Sequence, residues 1–226
     1  MKTVTSASLR RVLAFAGPSL CGAPPHLIDQ VELRGPARRG DLEALLDDEP
    51  GVVLLVDGLF GTSLAVTVTE CRELLERGWT IVGAGSIGAV RAAELFPAGM
   101  IGIGDVYALL RLGVLTSDAD VAVAYEPDTY CEISVAMVHV RAALASVTGL
   151  SAADRAALLA AARHCYWMER SAAMLAKSWS SITVDPAAVE SLLAVLADPE
   201  GHPKRRDGLL ALRCILSTDW LAPVWP

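Results

Sequence analysis

Two short apolar runs constrain this chain more than any other feature. Val52-Val53-Leu54-Leu55-Val56 and Thr80-Ile81-Val82-Gly83-Ala84 are continuous, rich in β-branched residues, and followed by glycine-bearing turns. A strand with no polar alternation must be covered on both faces, which is the condition of a parallel sheet held between helices. Leu64–Arg77, between the two runs, has a helical pattern and is stopped by Gly78. The runs are therefore expected to be neighbouring parallel strands. Asp57, Ser86 and Asp105 would then gather at the carboxyl end of the sheet, where ligand sites of such folds collect.

The rest of the first two thirds continues the alternation. Val12–Ala16 reads as a buried strand ended by Gly17-Pro18, Leu27–Leu33 as a second strand, and Gly40–Leu46 as a short helix. A helix is expected over Ala89–Leu95, a strand over Met100–Ile103, a helix over Val106–Leu112, a strand over Val121–Tyr125 and a long helix over Ile133–Ser146. The last third shows no strand. Ser151 and Asp154 have capping-box spacing, Tyr166–Ser178 is helical, Asp185-Pro186 starts a helix through Leu196, and Gly208–Leu216 forms the last helix. The expected fold is α/β, a mainly parallel sheet flanked by helices, with an all-helical C-terminal region. Its organisation reads as an α/β core over residues 1–150 and a helical region over 151–226 packed on it.

Composition excludes several classes. The 226 residues are 53% hydrophobic and 20% charged, which is incompatible with a disordered chain. The net charge of −7 and the 5% of aromatic residues argue against a nucleic-acid partner. Five well-separated cysteines (Cys21, Cys71, Cys131, Cys165, Cys214) with no CxxC suit reduced thiols in the cytoplasm rather than a disulfide framework or zinc site. The histidines have no HExxH spacing, and adjacent His164 and Cys165 diverge on a helix, so no metal is expected. No apolar run reaches membrane-spanning length. Lys2, Arg10 and Arg11 ahead of Val12–Ala16 look faintly like a signal peptide, but Gly17-Pro18 cuts the apolar stretch short.

The densest chemical signal is the strand, glycine turn and helix over Thr80–Glu94, which has three readings. Gly83, Gly85 and Gly88 satisfy G-x-G-x-x-G, a dinucleotide fingerprint, with Asp105 near the distance expected of the ribose-binding acid. Ala84-Gly85-Ser86-Ile87-Gly88 is also one step from a nucleophile elbow. That arrangement would expose the Ser86 hydroxyl on a sharp turn, with N–H groups around Gly85, Ile87 and Gly88 facing an oxyanion. The bland alternative is that Ser86 caps its helix. Finally, Arg91 and Glu94 share a face of an otherwise apolar helix, so a buried functional pair competes with a surface salt bridge.

A serine nucleophile needs a base. Lys204-Arg205-Arg206 is the densest basic run of this acidic chain. Charge runs ordinarily face water. A catalytic role requires Lys204 to reach the core, where burial and neighbouring cations depress a lysine pKa. Lys177 is the reserve. Arg141, in an apolar helix, is expected to be buried and paired.

Several motifs, in order, resemble the TfuA-like proteins. Phe15-Ala-Gly-Pro-Ser-Leu20 is similar to F-x-G-P-S-L, Gly35-Pro-Ala-Arg-Arg-Gly-Asp41 to P-P-A-x-x-G-D, and Leu55-Val-Asp-Gly-Leu-Phe60 to I-D-G-x-F. Gly83–Glu94 is close to G-A-S-S-M-G-A-L-R-A-A-E. Gly99–Gly104, Asp118–Val123, Ala136–Ala142, Glu169-Arg170 and Lys204–Asp207 follow. The chain departs from the pattern at Val68-Thr69-Glu70, where H-K-E is usual, at Asp118-Ala-Asp-Val121, where D-D-E-V is usual, and at His139, where Asn is usual.

The resemblance implies an accessory hydrolase of peptide backbone thioamidation. Such proteins accompany YcaO-type ATP-dependent enzymes, and are associated with hydrolysing the thiocarboxylate of a ThiS-like sulfur carrier and with helping the partner engage its precursor peptide. A Ser–Lys pair is attributed to the family, and Ser86 and Lys204 match it by motif position. No cofactor is implied. The alternatives are a non-catalytic adaptor that docks peptide or carrier onto the YcaO-type enzyme, and a dinucleotide-binding protein.

Overall fold

Strands β1 (Val12–Phe15), β2 (Glu32–Arg34), β3 (Val52–Leu55), β4 (Thr80–Ala84) and β5 (Ile101–Ile103) form one parallel sheet in the order β2-β1-β3-β4-β5. The structure, a computed structural model, describes residues 11–60 and 64–217. The two apolar runs are neighbours as expected, with Val52 opposite Thr80 and Leu55 opposite Gly83. The chain leaves β1 for β2 on one side and returns to β3 on the other. The crevice between β1 and β3 is therefore the topological switch point.

Alternate strand residues point to opposite faces. Leu13, Phe15, Val53, Leu55 and Ile81 pack with residues of α2 (Val68–Glu76), α3 (Ile87–Leu95) and α4 (Asp105–Arg111). Ala14, Val52, Leu54, Val56 and Val82 face α1 (Pro25–Ile28) and α9 (Pro203–Leu216), whose Leu209, Ala211, Leu212 and Ile215 close that side. A third apolar cluster joins α5 (Met137–Ser146), α6 (Ala152–His164), α7 (Ala172–Trp179) and α8 (Pro186–Ala197) around the buried Trp179. The α/β class with a helical C-terminal region holds. Among the described residues no helix is long and apolar enough to cross a membrane.

Local signals explain most boundaries. Ser151 and Asp154 form the expected capping box, and Asp185 caps α8 ahead of Pro186. Thr67 and Glu70 form a second box at α2, and the other Glu70 oxygen accepts the Gly40 amide at 2.7 Å. Four expectations are corrected. Leu27–Leu33 divides into α1 and β2, because Pro24-Pro25 opens a helical turn there. Gly40–Leu46 yields only a 3-10 turn over Glu43–Leu45. Val121–Tyr125 is no strand: the Val121 carbonyl goes to Lys204, and only Tyr125 bridges, antiparallel to Glu132. The helix expected from Ile133 starts at Met137, because Ile133 and Ser134 both donate to the Ala124 carbonyl.

Candidate functional site

The glycine turn after β4 is shaped by close packing. A Cβ on Gly83 would lie 2.0 Å from the Gly88 carbonyl oxygen, and one on Gly88 would lie 1.7 Å from that of Leu55. These glycines let α3 settle directly on β3 and β4. Gly85 has φ +67, open to glycine without strain, and a Cβ there would sit 2.9 Å from the Lys204 carbonyl oxygen. The first turn of α9 thus covers the place where a pyrophosphate would approach a dinucleotide fingerprint, which counts against that reading. The Gly88 amide donates to the Val56 carbonyl at 3.2 Å and so is spent on the scaffold. The Ile87 amide has no partner among the described residues.

Ser86 precedes α3 at the N-cap position, is buried, and makes no capping hydrogen bond through its side chain. Its backbone does the local work, donating to Ala84 and accepting from Ala89 and Val90. The bland capping role is therefore not the one Ser86 plays, and its hydroxyl stands uncommitted at the positive end of a helix.

Two other anion-attracting positions at this edge are filled by the protein's own carboxylates. Asp57, following β3, accepts the Gly17 and Ser19 amides at 2.9 Å each through Oδ2 and the Ser19 hydroxyl at 2.7 Å through Oδ1. This clamp folds the loop after β1 across the switch point. Asp207 accepts the Asp105 and Val106 amides at 3.0 and 2.8 Å, and so caps α4 from α9. Burial pushes its carboxyl up to about 6, against the two amide hydrogen bonds that favour the ion.

Of the basic run only Arg206 is exposed. Arg205 donates to the Cys21 and Gly22 carbonyls, and Arg206 pairs with Asp105 at 2.7 Å. Lys204 is fully buried; its Nζ lies 3.0 Å from Glu132 Oε1 and donates to the Val121 carbonyl at 3.3 Å. The Lys204–Glu132 contact is an ion pair rather than an aligned hydrogen bond, since Oε1 has no hydrogen-bond partner. His202 Nε2 lies 3.0 Å from Glu132 Oε2, while its Nδ1 accepts the Arg205 amide at 3.4 Å. That second bond assigns the ring proton to Nε2, which donates to Glu132. Burial pushes the Glu132 carboxyl up, but the Lys204 charge and His202 outweigh it and hold it down to about 2. The buried His139 ring packs at a tilt against His202, ring centres 4.3 Å apart, with its Nε2 unpartnered. Burial, reinforced by His202, pushes its imidazole down to about 3. Lys204, Glu132, His202 and His139 thus form a line of titratable groups beside the glycine turn.

The other expected site residues are distributed as follows. Ser86 and Lys204 belong to segments that touch through Gly85, but no hydrogen bond joins their side chains. Asp57 and Asp105 follow β3 and β5 at the same edge of the sheet. Arg91 donates to the Val66 carbonyl at 2.8 Å and to Glu94 at 2.6 Å, so this pair anchors the approach to α2. Arg141 is half-buried, with its Nε unpartnered. Lys177 is exposed on α7. Glu132 and His202 were not legible as site residues, because their pairing spans 70 positions; the only hint was His202, beside the Lys204–Asp207 motif.

A family model described as TfuA-like protein matches residues 57–171. The matched segment holds Asp57, the Ser86 turn, Glu132 and His139, and ends before α9 with Lys204 and His202. No curated protein matches the chain.

Proposed function

The chain belongs to the TfuA-like family, and from that premise we propose that it is an accessory hydrolase of peptide backbone thioamidation. Its substrate would be the C-terminal thiocarboxylate of a ThiS-like sulfur carrier, and the sulfide released would serve a YcaO-type partner acting on a precursor peptide. The observation that carries this reading is the Ser86 turn: an uncapped hydroxyl at the start of α3, packed through Gly85 against the Lys204 backbone. A cleft of about 410 Å³ at the sheet's carboxyl edge is lined by Phe15, Arg34, Arg38, Asp41, Tyr125 and Tyr130, with Ser86 not among its lining residues.

The chemistry would run in two halves. Ser86 Oγ attacks the thiocarboxylate carbon while its proton passes to Lys204, which can accept it only as the neutral amine, after giving up the proton it holds in the ion pair with Glu132; Glu132 and His202 then hold the ammonium so formed. The Ile87 amide and the α3 dipole stabilise the oxyanion. Collapse of the tetrahedral adduct breaks the C–S bond and expels hydrosulfide, leaving an ester on Ser86. Water then attacks the ester, the carrier leaves as a carboxylate, and Ser86 regains its proton.

A second reading is favoured by a specific observation. Lys204 Nζ is engaged by Glu132 and Val121, not by Ser86. An adaptor that docks carrier or peptide onto the YcaO-type enzyme needs no dyad. Sulfide release from thiocarboxylated carrier without the partner enzyme separates the two. Hydrolysis lost in Ser86→Ala supports the nucleophile, full hydrolysis in Ser86→Ala removes it, and no release by the wild type favours the adaptor.

A further inference from the structure

Cys21 and Cys131 stand 110 positions apart in the chain, yet the fold brings the Cys21 thiol against the loop that carries Cys131. Cys21 Sγ donates to the Thr129 carbonyl at 3.5 Å, and the Cys131 amide donates to Thr129 Oγ1 at 3.3 Å. The two side chains are close enough to perturb one another, and both residues are exposed. Arg205 holds the carbonyls of Cys21 and Gly22. The loop of residues 126–131 closes on itself through Glu126 N to Cys131 O at 2.9 Å and Tyr130 N to Glu126 O at 2.8 Å. Tyr130 of this loop has φ 56 and lies over two glycines: a Cβ on Gly35 would meet its hydroxyl at 2.6 Å, and one on Gly17 its ring at 3.2 Å.

We infer that Cys21 and Cys131 form a reversible redox pair whose intramolecular disulfide fastens the 126–131 loop to the turn after β1. With a low-molecular-weight disulfide as oxidant, one cysteine thiolate attacks it, forming a mixed disulfide and expelling one small thiol. The second cysteine attacks the protein sulfur of that bond and expels the other small thiol. The protein loses two hydrogens and the oxidant is reduced to two thiols. The bond would tie down the residue between Glu132 and Tyr130, the latter a lining residue of the cleft. Burial, ahead of the neighbouring Cys131, pushes the Cys21 thiol up, so exchange should quicken at alkaline pH. The other three cysteines lack this geometry: Cys71 is buried, with its thiol pushed up to about 12, and Cys165 is turned into its own helix towards Ala161. Cys214 lies on α9, on the far side of Arg205 in the sequence.

The test is oxidation of the full chain with oxidised glutathione, alkylation of the remaining thiols, and peptide mapping without reduction. The expected product is a monomer in which Cys21 and Cys131 peptides are joined, becoming the dominant species. Dithiothreitol should reverse it, and Cys21→Ser and Cys131→Ser should each abolish it while keeping the wild-type circular dichroism. Separate glutathione adducts on the two cysteines, a link between two molecules, or both thiols fully alkylated would each overturn the pairing. None of these readouts depends on hydrolase activity.

Discussion

A methyl group on Gly85 would lie 2.9 Å from the carbonyl oxygen of Lys204, so the turn that carries Ser86 and the first turn of α9 fit only because residue 85 has no side chain. Gly113 is a natural control: its φ of +69 nearly equals the +67 of Gly85, but nothing lies within 4 Å of its Cβ position. Gly113→Ala should cost the left-handed penalty alone, about 1 kcal/mol. Gly85→Ala should cost that plus the overlap with Lys204, about 3 kcal/mol. Urea unfolding of both variants measures the difference. Equal losses would mean that α9 does not press on the turn.

Lys204 and Glu132 should behave as a unit. Removing one member of a buried pair strands the other charge, so Lys204→Met is expected to lose about 3 kcal/mol. Adding Glu132→Gln should recover much of that loss, because the stranded carboxylate is gone. Denaturant unfolding of the two singles and the double gives the coupling. Additive losses would contradict the pairing. The same series shows whether a loss of hydrolysis in Lys204→Met is chemical or merely follows from unfolding.

Asp57 is expected to act through the loop after β1. Asp57→Ala leaves the Gly17 and Ser19 amides without their acceptor and should cost about 2–3 kcal/mol. Asp57→Asn retains an acceptor and should cost less, about 1 kcal/mol. Hydrogen exchange at Gly17 and Ser19 should rise in the alanine variant. Unchanged protection there would remove the clamp.

Acid stability should carry the signature of His139. Its folded imidazole is pushed down to about 3, whereas the unfolded one takes a proton near 6.5. The unfolded state therefore binds more protons between these values, and stability falls as pH drops from 6.5 towards 3. Glu132, held down to about 2, adds to the loss below about pH 4.5. Asp207, pushed up to about 6, opposes it between about pH 4 and 6. His139→Gln should flatten the slope between pH 4 and 6 by up to about 1.4 kcal/mol per pH unit. Urea midpoints at three pH values check this; an unchanged slope would show that His139 titrates normally.

Local sequence settled the two central strands, their parallel sense, their burial on both faces and some of the helix starts. Those depend on neighbours within a few residues: the β-branched runs at Val52–Val56 and Thr80–Ala84, the Ser151–Asp154 box, and Asp185 before Pro186. Side chains a few positions apart meet whatever the rest of the chain does. The tertiary structure alone decided the fate of the charged residues. Lys204–Asp207 reads locally as a solvated run, yet its members are placed by Glu132, Cys21, Asp105 and Val106, between 72 and 184 positions away. Val121–Tyr125 has the composition of a strand, but Val121 gives its carbonyl to Lys204. A buried charge takes its partner from whatever the fold brings within reach, and that is set by the packing of α9 over the glycine turn.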